Sequence, residues 1–176
     1  MLGSLHGIVK DCATEFACSN GDVATRLAAL SFSAKEGRAR EKGLREEMAR
    51  MISGRIWTES EDVNSIRRGL LIRTEEATND LEFLALVAAN LGEMMADTSS
   101  QHLFILASSG GSNSNSGGAI VILGTDSLVA KAGKMASESF GKRVRGGGKH
   151  RWQGKLSGGH WSAEDSVILN SILSLE

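Results

Sequence analysis

Two runs contain nothing but apolar residues, Leu103-Phe104-Ile105-Leu106-Ala107 and Ala119-Ile120-Val121-Ile122-Leu123. A strand with no polar residue on either side cannot leave one face in water, so it belongs in a sheet covered on both faces. The segment that joins them, Ser108–Gly118, is built only of Ser, Gly and Asn. The pair therefore reads as an antiparallel hairpin with a flexible connection. Leu70-Leu71-Ile72 offers a third short strand, at about 70–73. The covering layers are also visible. Asn79–Met95 has Leu81, Leu84, Ala85, Ala88, Leu91 and Met95 on one helical face, with Asn79 or Asp80 available as a cap. A second helix starts at Thr125 or Asp126 and reaches about Phe140. A third opens at Ser162-Ala163-Glu164-Asp165 and carries Val167, Ile168, Ile172 and Leu175 inward. The class implied is α/β (α+β), a small mixed sheet covered by helices.

A long charged helical arm precedes the sheet. A short helix is expected around Leu5–Phe16, then a turn at Asn20-Gly21-Asp22. From Asp22 the residues Val23, Leu27, Leu30, Ala34, Gly37, Glu41, Leu44, Met48 and Met51 recur at alternating steps of four and three. That is heptad spacing, and it predicts a helix with one seam over 22–52. Gly37 and Glu41 interrupt the seam, and Gly37 and Gly43 each cost about 1 kcal/mol against Ala inside a helix. The seam serves either to pack the arm on the domain or to join two copies of the chain. The pattern breaks over Gly54–Arg68, where Glu59, Glu61 and Asp62 suggest an acidic loop. The arm is thus expected over 1–54 and the globular domain over 55–176.

Several classes of function are disfavoured. No apolar run approaches the ~18 residues of a membrane helix, and the N-terminus lacks the features of a secretory signal. A cytoplasmic setting without membrane contact is expected. Cys12 and Cys18 are separated by five residues and have no second pair, so they read as free thiols rather than zinc ligands. The histidines are His6, His102, His150 and His160, with no pair four apart. His150, His160, Glu164 and Asp165 match no metal-ligand spacing. No catalytic residue and no metal site is expected in this chain. Trp57 and Trp161 read as packing residues.

Charge is distributed unevenly. Between Glu138 and Glu164 there is no acidic residue. Within that gap lie Lys142, Arg143, Arg145, Lys149, Arg151 and Lys155, which supply phosphate attraction. Gly146, Gly147 and Gly148 allow a backbone to approach a ligand closely. Trp152 either stacks on a base or anchors the segment, and Gln153 can hydrogen-bond a base edge or a backbone. The stretch shows no helix or strand periodicity. It lacks the Gly-Lys-Ser/Thr of a nucleotide phosphate loop, and no GxGxxG links a strand to a helix. A nucleic-acid-binding segment is the reading that uses all of these properties.

Arg145-Gly-Gly-Gly-Lys149 followed by Arg151-Trp-Gln-Gly-Lys155 resembles the glycine-rich motif of the DHHA1 domain. That domain closes alanyl-tRNA synthetases and the long form of the free-standing alanyl-tRNA editing proteins, AlaX-L. The aromatic-Gln-Gly-Lys tail is closer to the editing proteins, and the order of elements over residues 20–175 is similar. The resemblance implies a DHHA1-like domain over 55–176 that helps to hold tRNA, by analogy alanine tRNA. The RNA-binding residues it implies are Lys142, Arg143, Arg145, Gly146, Gly147, Gly148, Lys149, Arg151, Trp152, Gln153 and Lys155. Editing proteins hydrolyse Ser-tRNA(Ala) with a zinc-bound domain marked by HxxxH and a later Cys-xxx-His pair, and neither motif occurs here. Zinc is expected only in that absent domain, so the chain looks like the C-terminal half of an editing protein without its chemical half. Two rival expectations remain. One is a phosphate- or nucleotide-binding part of a hydrolase, and the other is a structural dimerisation module built on the 22–52 helix.

Overall fold

Strands β2 (Ile66–Arg73) and β3 (Gln101–Ser108) lie parallel, with Ile66 opposite Gln101 and Arg73 opposite Ser108. A parallel pair needs a long crossover, and α3 (Leu81–Ala96) supplies it. A computed structural model describes residues 2–74, 81–109, 117–157 and 160–175. The remaining elements are α1 (Leu2–Glu15), α2 (Val23–Glu59), β1 (Glu61–Val63), β4 (Ala119–Gly124), α4 (Asp126–Phe140), β5 (Val144–Gly147), β6 (Arg151–Leu156) and α5 (Ala163–Leu173). The strands form one mixed six-stranded sheet in the order β1-β2-β3-β4-β6-β5. The fold is α+β, as the apolar runs require, and no helix among the described residues is long and apolar enough to cross a membrane.

Each face of the sheet has its own core. On one, Leu103, Ile105, Ile120 and Ile122 pack with Val129, Ala132 and Ala136 of α4 and Leu169 and Ile172 of α5. On the other, Phe104, Leu106, Val121 and Leu123 pack with Leu84, Val87 and Leu91 of α3 and with Ala49 and Ile56 of α2. Alternate residues of β3 and β4 thus serve opposite cores, which explains why both strands are wholly apolar.

Several expectations need correction. The antiparallel hairpin 103–107/119–123 is present, but the third strand starts at Ile66 rather than 70 and runs parallel to its neighbour. The supposed acidic loop is strand β1, antiparallel to β2. Asn64 and Ser65 turn the chain between them with φ of 54° and 64°, the left-handed pair that suits a tight two-residue hairpin. The helix expected to break at Gly54 continues to Glu59. Gly54 costs about 1 kcal/mol in a helix, whereas burying Ile56 against the sheet contributes about 1.5–3 kcal/mol. The glycine-rich basic stretch, expected to lack regular structure, is a β-hairpin. The caps proposed at Asn79 and Asp80 and most of the Ser108–Gly118 connection fall outside the described residues.

Contacts divide the chain into Met1–Arg45 and Glu46–Glu176, where the sequence pattern suggested a division at 54. In the first unit Ala13 and Val23 are buried. Leu27, Leu30, Leu44, Met48 and Met51 of the heptad seam are exposed along α2.

Trp57 and Trp161 are packing residues. Trp57 stacks on His102, with ring centroids 5.6 Å apart, and on Phe104 at 5.9 Å. The Trp161 indole donates to the Ser108 carbonyl. His102 is buried, with Nε2 2.9 Å from Thr98 Oγ1 and 3.2 Å from Ser100 Oγ. Burial lowers its pKa below the usual 6.5, Arg67 acts in the same direction, and Asp62 opposes them. As pH falls below 6.5 the unfolded chain takes up a proton that the native imidazole resists. Stability therefore declines with acid until the folded pKa is passed, by at most about 1.4 kcal/mol per pH unit. His102→Gln should flatten this part of the pH profile in urea titrations between pH 7 and 5. An unchanged profile would show that His102 is not its source.

Candidate nucleic-acid interface

The basic stretch is organised by one side chain that does not face solvent. In β6 the residues Trp152, Gly154 and Leu156 point to the α4/α5 core, and Arg151, Gln153 and Lys155 point the other way. Trp152 is only 5% exposed. Three glycines make room for its indole. A Cβ at Gly133 of α4 would lie 2.6 Å from the ring, one at Gly146 2.7 Å, and one at Gly154 2.8 Å. All three distances are well inside van der Waals contact. Trp152 is therefore the anchor of the hairpin, the second of its two expected roles.

The glycine run divides by function. Gly146 admits the indole. Gly148 turns the chain at φ 141°, a conformation that L side chains rarely adopt. Only Gly147 has open space where a side chain would be. Close backbone approach to a ligand is thus sterically open at Gly147, whereas Gly146 and Gly148 are required by the hairpin itself.

The opposite face carries the charge. Strand β6 pairs with β4 so that Lys155 lies opposite Ala119, Gln153 opposite Val121 and Arg151 opposite Leu123. Val121 and Leu123 belong to the core beneath α3, which packs on β3 and β4. The same sheet face continues onto β6 and β5, where Arg145, Arg151 and Lys155 are exposed. Arg145 sits directly across from Lys155. Two like charges so placed repel one another unless an anion lies between them. With the Gln153 amide oriented by its hydrogen bonds, its oxygen accepts from Arg151 Nε at 2.6 Å and Nη2 at 2.7 Å. Lys149 is exposed in the connection between the strands.

The other cations of the stretch are placed differently. Lys142 is exposed in the 3-10 turn Gly141–Arg143 that precedes β5. Arg143 donates from both terminal nitrogens to the two carboxylate oxygens of Asp165, at 2.8 and 2.9 Å. Asp165 is almost fully buried and also closes a capping box with Ser162 at the start of α5. The Arg143 guanidinium holds the Asp165 carboxyl below its ordinary pKa, against the effect of burial, and the pair raises that of Arg143. His150 contacts Asp126 at 2.9 Å. Among the described residues no three His, Cys, Asp or Glu side chains are grouped as for a metal ion.

Sequence reasoning missed Gly133 and Asp165 as parts of this assembly. Gly133 lies in an ordinary helical segment and gives no local sign that a tryptophan from another element rests on it. Asp165 was visible as a helix-start residue and as a member of a metal-ligand spacing that did not fit, not as the partner of Arg143.

No family model matches the sequence, and no curated protein matches it. Among solved structures, one described as the DHH domain of a member of a family of ribosomal proteins aligns at 15% identity with a TM-score of 0.40. The alignment covers 80% of this chain and 33% of that one, so the chain spans about a third of that structure's length.

The slot and the open position can be told apart by mutation. Gly133→Ala should destabilise the protein by about 1–3 kcal/mol through overpacking against Trp152. Gly147→Ala should stay within about 0.5 kcal/mol of wild type. Equal urea midpoints for the two variants would argue against the slot.

Proposed function

We propose that the exposed face of the β5–β6 hairpin binds the phosphate backbone of RNA, and that the ligand is tRNA. The observation that carries this reading is the placement of Arg145, Arg151 and Lys155 on one open sheet face, with Lys149 in the adjoining turn. Cations gathered on one sheet face neutralise neighbouring phosphates and release the counterions condensed on a nucleic acid. The Gly-Gly-Gly-Lys and Trp-Gln-Gly-Lys motifs add the resemblance to alanyl-tRNA editing proteins. In that setting the chain acts in the cytoplasm as a tRNA-holding domain, and the zinc chemistry belongs to a separate domain. Arg143 is assigned to Asp165 rather than to phosphate.

Binding of alanine tRNA, measured by fluorescence anisotropy across a salt series, should weaken steeply with salt. Replacing Arg145, Lys149, Arg151 and Lys155 with Gln should lower the slope of log K against log salt by roughly 0.7–0.9 for each phosphate that is no longer neutralised. Undiminished affinity in the fourfold variant would remove the idea.

A second reading concerns partners, and it is favoured by the exposure of Leu27, Leu30, Leu44, Met48 and Met51 at heptad spacing. Such a seam joins two copies of α2 in a coiled coil. Sedimentation velocity at several concentrations should show a dimer that Leu30→Glu combined with Leu44→Glu converts to monomer. A monomeric wild type at all concentrations would end this reading.

A further inference from the structure

We infer that the basic face reads the backbone of a double helix and does not read bases, so that its ligand class is helical RNA of any sequence. The inference rests on the phosphate-binding reading above and specifies what that face recognises.

Three observations carry it. Single-stranded nucleic acid is held chiefly by bases stacked on aromatic rings, at about 1–3 kcal/mol per base. The hairpin has one Trp and no Phe or Tyr; Trp152 is enclosed among Gly133, Gly146 and Gly154 on the opposite face, and the exposed His150 ring in the turn is held against Asp126. The chain contains no tyrosine, and Phe32 of α2 is the only exposed Phe or Trp side chain among the described residues. The charged face of the hairpin therefore offers no Phe, Tyr or Trp on which a base could stack.

Two of the side chains suited to reading base edges, Arg151 and Gln153, are occupied with each other, which leaves Arg145 as the other arginine of the face. Arginine reads guanine through two nitrogens, and glutamine reads adenine through both ends of its amide. Here Arg151 directs Nε and Nη2 to the Gln153 oxygen. Neither retains its full recognition fork, but Arg151 keeps its charge.

What remains is an array of charge set out by the strand register. Arg145 and Lys155 face each other across neighbouring strands, with side chains roughly 5 Å apart at Cβ. Arg151 stands four residues before Lys155 on the same strand, roughly 13 Å away. A helix presents its phosphates already ordered and at high density. A single strand must be ordered on this surface without the stacking that would offset the entropy. Of helical and single-stranded RNA, the helix is the form that this array favours.

The test uses the full chain and RNA of about 16 base pairs. Anisotropy would compare two duplexes of unrelated sequence, their separated strands made unable to pair, and the Arg145→Gln, Lys155→Gln double variant. The two duplexes should bind within about threefold of each other, and the single strands about tenfold more weakly. The double variant should lose duplex binding. Single strands bound as tightly as duplexes, or duplexes differing more than about tenfold, would overturn this inference and leave phosphate binding intact, provided the variant still bound more weakly. A wild type that binds no RNA, or a double variant that binds as well as wild type, would instead remove the underlying reading.

Discussion

The seating of Trp152 among Gly133, Gly146 and Gly154 is the contact on which the rest of the hairpin depends. A buried indole contributes a large apolar area, and here it joins α4 to both strands of the hairpin. Once that ring points into the α4/α5 core, the two-residue period of a strand turns Arg151, Gln153 and Lys155 to the opposite side. Burying an aromatic residue thus displays the cations. A one-residue slip of β6 would expose the tryptophan and drive two cations into the apolar core, at a cost far greater than any pairing gain. The charged face is held in place by packing on the reverse side of the sheet.

The same logic explains why this hairpin was hard to see in the sequence. A half-buried strand usually announces itself by apolar residues at every second position. In β6 those positions are Trp152, Gly154 and Leu156, and in β5 they are Val144 and Gly146. Glycine replaces an apolar residue wherever the indole needs space, so the alternation is broken by the residue that allows the packing. The glycines looked like a means of approaching a ligand because their local pattern is the same in both cases. Only the position of the tryptophan separates the two roles.

Electrostatics divides the basic segment further. As a sequence it is a run of six cations without an acid. In the fold Arg143 closes on Asp165, which lies 22 positions later and is tied into the cap of α5. This pair fastens the start of the hairpin to the closing helix. His150 meets Asp126 at the first turn of α4. Structural pairing therefore takes one end of the run, while Arg145 and Lys155 repel each other across the strands and Arg151 and Lys149 extend the positive surface. A net charge near zero concealed this division between charges used for folding and charges left exposed.

The sequence by itself determined the elements that depend on local periodicity. These are the two apolar strands, the helices that cover them, the capping serine of α5, the charged α2 and the acid-free interval around the glycines. Each is a property of residues close together in the chain, so propensity and pattern suffice to read it. Tertiary structure decided that β2 runs parallel to β3, that α2 passes beyond Gly54, that Trp152 lies inside, and that Arg145, Arg151 and Lys155 share one open face while Arg143 does not. These outcomes are set by strand register and by burial against elements distant in sequence. Their energies exceed local preferences and arise only when those elements meet.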